Sequence, residues 1–174
     1  MPLRCHHLEI CHCVHRLKIK LNSTVELIIV DESNSEFLLM VPKGSLINLL
    51  LFLAVNRINH PFHLHGHRFL VTKMGQHPDG IPMTIDLAKS MITDTTIHAT
   101  QKSVNVIKDT VSIPSKGYTI LKFVADNPGF WLMHCHFEWH LAVGMGLVLQ
   151  VGETNEMIQA PDNFPKCNNY TPDL

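Results

Sequence analysis

The chain has 174 residues, of which 45 % are hydrophobic, and a net charge of −1 when the histidines are neutral. This apolar content predicts a globular protein with a core rather than a disordered chain. The small net charge, without a basic patch, argues against nucleic acid as a partner. No apolar run is long enough to cross a bilayer, so we expect no membrane span.

Residues 1–16 form a segment rich in cysteine and histidine. Its potential metal ligands are Cys5, His6, His7, Cys11, His12, Cys13 and His15. Their spacing matches no common zinc pattern, so we favour disulfides, to Cys167 or to a longer parent chain, over a metal site. No apolar core of a secretory signal peptide follows Met1. We therefore expect either a cytosolic protein or a piece of a longer one.

Short strands are predicted for the first part of a domain that we place at residues 17–152. Residues 17–21 alternate apolar and basic side chains, and residues 25–30, apart from Glu26, are apolar and rich in β-branched side chains. Both patterns are typical of strands. Residues 33–57 form an atypical apolar insert. Its run at 46–55 could be a buried strand, a buried helix, or foreign to the fold, such as translated intron sequence.

The second part of that domain also contains more predicted strand than helix. Strands are predicted at 68–74, 104–107, 109–113, 118–125, 129–133 and 146–152. Helix is limited to a short piece near 87–91 and a helical turn at 138–143. Many short strands with little helix predict an all-β sandwich with Greek-key connections. Residues 153–174 contain three prolines and are expected to be a surface tail.

The most informative stretch of the chain is residues 134–145. In it, Cys135 lies between His134 and His136. Soft sulfur and imidazole nitrogen suit copper better than they suit calcium or magnesium. Residues 129–133 lead into the stretch as a strand, on which side chains alternate faces. Cys135 is therefore expected on one face, with the two histidines about 6.6 Å apart on the other, where they can serve two neighbouring ions.

A second stretch rich in histidine, residues 60–67, supplies ligands that the first lacks. His63 and His65 share one face of an extended segment, whereas His60 is displaced by three residues and can serve a different metal. Blue copper sites use two nitrogens, one thiolate and a long thioether. The two stretches together contain such a set: His60, Cys135, His140 and Met145.

The sequences HPFHLHG and DNPGFWLMHCHFEWHLAVGM together resemble the C-terminal cupredoxin domain of a multicopper oxidase, and laccases and ascorbate oxidase are the most similar members. The resemblance covers about residues 57–152. It implies an all-β, cupredoxin-like Greek-key β-sandwich or barrel. It also implies a complete type 1 copper site, with the ligands His60, Cys135, His140 and Met145.

The same resemblance implies ligands for a cluster of type 2 and type 3 copper. His63 would bind the type 2 copper, and His65, His134 and His136 would bind the type 3 pair. Glu138 matches an acidic residue that laccases often carry near these histidines. It would take part in proton transfer or hydrogen bonding, and the alternative is a solvated residue in a helical turn.

Other histidines and tryptophans have simpler interpretations. His67 lies beyond the family's ligands, although we expect it on the same face as the preceding two histidines. His77 and His98 are predicted to be surface residues. Trp131 and Trp139 are expected in the core or in the walls of the site, and the scattered methionines are expected to fill the core.

The resemblance implies a laccase-like oxidase. Phenols, diphenols or other electron-rich small molecules would give up single electrons at type 1 copper, and dioxygen would be reduced to water at the cluster. His140 would be the exposed ligand that receives the electron, and Cys135 would relay it. The sequons at Asn22 and Asn169, and an even number of cysteines besides Cys135, fit a secreted, glycosylated parent protein with disulfides.

The family's cluster also needs two further His-x-His pairs from an N-terminal domain. The His-x-His triplets of this chain lie at 63–65, 65–67 and 134–136, so the type 2 and type 3 sites are only partial. We therefore expect an incomplete enzyme whose remaining cupredoxin domains belong to a parent chain. The alternative is an isolated copper-binding or electron-transfer fragment without oxidase turnover. A structural zinc protein is disfavoured by the cysteine flanked by histidines.

Overall fold

The computed structural model describes residues 15–32, 48–53, 58–93 and 106–164. The strands in these ranges are β1 (Arg16–Ile19), β2 (Thr24–Asp31), β3 (Asn48–Leu53), β4 (His60–Leu64), β5 (Phe69–Gln76), β6 (Val106–Lys108), β7 (Thr110–Ile113), β8 (Gly117–Val124), β9 (Gly129–Cys135) and β10 (Gly146–Val151). The helices are α1 (Ile85–Thr93), α2 (Glu138–Ala142) and a 3-10 turn at Thr154–Glu156. The predicted all-β class is confirmed.

The strands form two sheets of five strands each. The first has the order β1-β10-β9-β4-β7 and the second the order β3-β2-β8-β5-β6. Strand β1 runs parallel to β10 and β3 runs parallel to β2, while the other pairs are antiparallel. Both histidine-rich stretches lie in the first sheet, because β4 pairs with β9. Their register places His63 opposite His134.

The main core lies between the two sheets. Alternate side chains of the strands point inward, and Phe62, Leu64, Leu147 and Leu149 of the first sheet meet residues such as Leu27 of the second. Burying a side chain of this size stabilises the fold by about 1.5–3 kcal/mol. Strands β4 and β9 are therefore anchored in the core. This packing fixes the positions of the histidines in and next to these strands.

A smaller core covers the outer face of the second sheet. Helix α1 packs Ala88 there, and Met83 lies fully buried just before the helix. The sheet contributes Ile28 and Val30 from β2 and Tyr118 from β8. Because β2 therefore has covered residues on both faces, its residues 27–30 are apolar in succession rather than alternating with polar ones.

Several boundaries differ from those predicted. Strand β1 ends at Ile19, because Asn22 has a φ of 60° and the Ser23 hydroxyl donates to the Lys20 carbonyl in a turn. Strand β5 continues to Gln76, where its pairing with β8 ends at Gly117. The apolar run of the insert contains a strand, which is one of the alternatives considered for it.

Other predictions fall outside the described residues. They concern the Cys/His-rich residues 1–14, the remainder of the insert, residues 104 and 105 of a predicted strand, His98, Cys167 and the sequon at Asn169. In the described part of the chain, neither α1 nor α2 is long and apolar enough to cross a membrane.

Candidate metal centre

Three potential ligand atoms meet where β4, β9 and α2 come together. The Nδ1 atoms of His60 and His140 are 3.2 Å apart, and the Cys135 Sγ atom lies 3.9 and 3.4 Å from them. Within the described ranges, this is the one group of three or more His, Cys, Asp or Glu side chains whose ligand atoms converge, all within 4.8 Å. Atoms that bind one ion at about 2.0–2.3 Å lie at comparable separations.

Local backbone structure brings these residues together. His60 and Cys135 lie at the ends of two paired strands, and α2 then turns the chain back so that His140 faces the cysteine. The N–H of Met145 donates to the His140 carbonyl, and the Met145 carbonyl accepts from the N–H of Cys135. Met145 is buried and is therefore tied by its backbone to two of the three converging residues.

Burial affects the two kinds of ligand in opposite directions. Burial, and to a smaller extent the nearby His140, lowers the pKa of His60 to about 4. Burial raises the pKa of the Cys135 thiol, against a smaller lowering by the backbone N–H of Phe137. His60 is therefore neutral at pH 7 with a lone pair to offer, whereas the thiol keeps its proton until a cation displaces it. This donor set, buried and without a carboxylate, fits copper.

A second group of histidines lies on the other side of Cys135. The ring centroids of His63 and His65 are 4.9 Å apart, and those of His134 and His136 are 5.6 Å apart. Three of the centroid distances between the two pairs range from 5.3 to 6.0 Å. Their nitrogens do not converge on one point as the first group does. This spacing is compatible with more than one ion.

The two groups present different ring nitrogens. The Nδ1 of His134 lies 2.9 Å from the Cys135 carbonyl, which can only accept, so Nδ1 carries the proton. Its Nε2 is left with the lone pair and lies 3.2 Å from the Nε2 of His65. Burial, followed by the three neighbouring histidines, lowers the pKa of His65, which favours its neutral form. In the first group it is Nδ1 that faces the other ligands.

The structure contradicts three expectations about nearby residues, which concern His67, Trp139 and His140. His67 does not share the face of the preceding histidines. It is buried against Phe123 and Trp131, because Gly66 has a φ of 69° and reverses the chain. Trp139 is 72 % exposed rather than in the core or a wall.

His140 is buried rather than exposed, with 4 % of its surface accessible, because its ring packs against Phe137. It is nevertheless more accessible than His60 and Cys135, which both have 0 %. Glu138, the first residue of α2, is exposed, and its carboxylate forms no hydrogen bond or ion pair with another residue of the described ranges.

A family model described as multicopper oxidase matches residues 4–155. The chain belongs to the multicopper oxidase family. Laccase-24 of Oryza sativa subsp. japonica is 38 % identical over 117 residues, which are 65 % of this chain and 18 % of that protein. A laccase of Cryphonectria parasitica is 39 % identical over 111 residues, which are 63 % of this chain and 16 % of that protein.

Solved structures of multicopper oxidases share the fold. Fet3p, a multicopper oxidase that functions in iron import, has a TM-score of 0.52 and 26 % identity, covering 79 % of this chain and 21 % of that one. The laccase from Botrytis aclada has a TM-score of 0.51 at 23 % identity, covering 84 % and 21 %, and supports the fold alone. The predicted cupredoxin-like fold is confirmed. The chain spans about a fifth of the length of these relatives.

Two polar residues outside both stretches also contact one histidine of this multicopper oxidase, His63. Asp109 directly precedes β7, and Thr110 is the first residue of that strand. The register of β7 with β4 places Thr110 opposite His63. No spacing within the histidine-rich sequences indicates them, because they are more than 40 residues away along the chain. Only the pairing of β4 with β7 makes them neighbours.

Proposed function

We propose that this chain is the C-terminal copper-binding domain of a laccase-like multicopper oxidase that oxidises phenols or other electron-rich small molecules and reduces dioxygen to water. The observation that carries the proposal is the buried convergence of His60, Cys135 and His140 in a chain of this family. Copper held there would supply one-electron redox chemistry. The oxidase activity, substrates and partner domains belong to the whole protein and are part of the proposal.

The first group of residues would form a complete type 1 site. Nδ1 of His60, Nδ1 of His140 and Sγ of Cys135 would bind copper, because these atoms already face each other. Met145 would be the weak axial ligand, and its burial and its backbone bonds to the other residues support this role. His140 would be the ligand nearest the electron donor, because it is the most accessible of the three converging residues.

The second group would hold part of the type 2 and type 3 sites. His63 would bind type 2 copper, and His65, His134 and His136 would bind the type 3 pair. The facing Nε2 atoms of His65 and His134 support this assignment. Cys135 is bonded through the backbone to both neighbouring histidines, which makes it the shortest covalent path between the two groups.

Glu138 would help to deliver protons to the second group. Its carboxylate is exposed at the start of α2, two residues after His136, where it can exchange protons with water.

We place the copper-binding domain at residues 17–152, because the described strands lie between Arg16 and Val151. Residues 1–16 would be a separate N-terminal segment and residues 153–174 a tail.

A second candidate function is a copper-binding module without oxidase turnover. The observation that favours it is that the second group of histidines does not converge as the first does. The chain also contains no other His-x-His pair to complete a cluster. Under this alternative, substrate would reduce the single bound copper once, and dioxygen would not be consumed continuously.

We further propose that the parent protein is secreted and glycosylated at Asn22. This residue is the first of an Asn-Ser-Thr sequon in the turn between β1 and β2, and its side chain is exposed to solvent. Treatment of secreted protein with an endoglycosidase should lower its mass by one glycan at this site. An unmodified Asn22 peptide in that protein would contradict the proposal.

The direct test compares a copper-loaded full oxidase that contains this domain with its Cys135→Ser variant. A thiolate bound to Cu(II) gives an intense visible absorption that serine cannot give, so the variant should be colourless and should not oxidise a diphenol. His77→Gln, which changes a histidine outside both groups, should keep the colour. A coloured Cys135→Ser protein would overturn the site. Colour without oxygen uptake in the unsubstituted protein would favour the binding module.

A further inference from the structure

We propose that Thr110 and Asp109 are positioning residues, which hold the His63 imidazole in the tautomer with a proton on Nδ1 and a free lone pair on Nε2. The consequence for metal binding rests on the proposed function. The tautomer itself is a property of this chain without any metal, so the two can be tested separately.

The hydrogen-bonding partners of His63 determine where its proton must be. Its Nδ1 lies 3.0 Å from the Asp109 backbone carbonyl and 2.9 Å from the Thr110 hydroxyl oxygen. The Thr110 hydroxyl donates its one hydrogen to the Asp109 carboxylate, at 3.0 Å. It therefore presents a lone pair to the ring, and the carbonyl can only accept. With two acceptors facing Nδ1, that nitrogen is the donor.

Strand pairing keeps the two acceptors in place. Thr110 is the register partner of His63 across β4 and β7. The Asp109 carbonyl also accepts the backbone N–H of Leu64, at 3.0 Å. This hydrogen bond to Leu64, the residue after His63, fixes the carbonyl against β4. The carbonyl cannot turn away from the ring without breaking a strand hydrogen bond.

His63 differs from His134 in how its tautomer is set. His134 donates Nδ1–H to the carbonyl of the adjacent residue, Cys135, which no side-chain substitution removes. His63 relies in part on a hydroxyl and on the carboxylate that orients it. Metal-binding histidines commonly donate their other N–H to a carbonyl or carboxylate, and losing such a partner typically weakens metal binding about 10–100-fold.

The test is the tautomer of His63 in the metal-free 174-residue protein, read from the ¹⁵N shifts and long-range ¹H–¹⁵N couplings of the ring. We expect the Nδ1–H form. Thr110→Val keeps the shape but removes the hydroxyl, so an Nε2–H population should appear beside the Nδ1–H form that the Asp109 carbonyl still favours. Thr110→Ser should restore the original form. Asp109→Ala should act like Thr110→Val, because the freed hydroxyl can then donate to Nδ1.

Matched controls separate this role from general damage. Ser112→Ala deletes an exposed hydroxyl two residues along the same strand face and should leave His63 unchanged. His134 should remain Nδ1–H in every variant and serves as an internal reference for folding. An Nε2–H form of His63 in the unsubstituted protein would overturn the proposal. So would variants at Thr110 and Asp109 that both leave its tautomer unchanged.

A second readout uses a copper-loaded full oxidase that contains this domain. Thr110→Val should bind the copper assigned to His63 about tenfold more weakly in chelator competition followed by electron paramagnetic resonance. The colour that depends on Cys135 should persist. Unchanged affinity would overturn the role of Thr110 in metal binding. If the unsubstituted protein has no such colour, that result counts against the proposed function, and the tautomer result still holds.

Discussion

His60 and Cys135 share a pocket in which burial keeps both side chains uncharged. Burial lowers the pKa of the imidazole to about 4 and raises that of the thiol. The neutral forms avoid the desolvation cost of a buried charge. Only the thiol therefore has a proton to lose when a cation enters, and only the thiolate can balance the charge that the cation brings.

This difference predicts how metal affinity depends on pH. We expect Co²⁺, chosen because it does not oxidise thiols, to bind about tenfold more tightly per pH unit between pH 7 and 8, since one proton leaves Cys135. His60 does not contribute to the dependence of Co²⁺ affinity on pH in this range, because its pKa lies far below pH 7. Competition titrations at several pH values measure the slope. Cys135→Ala should lose it, and a slope of zero in the unsubstituted protein would contradict the prediction.

Substitution of His65 should separate the two groups of histidines. His65→Ala leaves the first group intact, because its ring contacts His63 and His134 rather than the converging ligands. In a full oxidase that contains this domain, we expect oxygen uptake to be lost while the visible band is kept. An oxygen electrode and an absorption spectrum on the same sample measure both. Normal oxygen uptake by this variant would contradict the proposal that His65 binds copper in the cluster.

At the scale of elements, the turn between β4 and β5 depends on Gly66. Its φ of 69° favours glycine, and a Cβ there would lie 2.3 Å from the ring of Trp131. The same reversal buries His67 beneath that tryptophan. The position therefore needs glycine for two reasons, one in the backbone and one in the packing of a neighbouring strand.

Gly66→Ala should lower the free energy of unfolding by about 2–5 kcal/mol, the sum of left-handed backbone strain and overpacking. Gly80 is the matched control. Its φ is 66°, but nothing lies within 4 Å of an added Cβ. Gly80→Ala should therefore cost only the strain, about 1–2 kcal/mol. Urea unfolding of the metal-free proteins compares them, and equal losses would show that contact with Trp131 contributes nothing.

At the scale of the whole molecule, the pairing of β4 with β9 holds both histidine groups in the first sheet. The ligand atoms of the first group converge within the described ranges, whereas the nitrogens of the second do not. Metal affinity depends on the number of ligands and on a preformed geometry. The two groups should therefore differ widely in affinity when this chain is studied alone.

The 174-residue protein should accordingly bind about one copper tightly and turn over dioxygen negligibly. Oligomers would not change this, because every copy carries the same histidines. Elemental analysis of copper per chain, together with oxygen uptake in the presence of a diphenol, checks both statements. Four coppers per chain with sustained uptake would show that the second group forms a full cluster without further ligands.

Local patterns in the sequence determined much of this protein. A β-branched apolar run predicts β2, and the apolar residues 129–133 predict β9, because strand periodicity is a property of adjacent residues. The cysteine between two histidines indicates copper by donor chemistry alone. These signals identify the all-β class, the family and the residues around Cys135 without any knowledge of which strands pair.

The tertiary structure decided what depends on residues far apart in the chain. The pairing of β4 with β7 brings Thr110 to His63, and no sequence spacing encodes that register. A single glycine, Gly66, moves His67 from the predicted face into the core, because one left-handed residue breaks the alternation of side chains. The burial that lowers the pKa of His60 and raises that of Cys135 likewise exists only once both sheets have packed.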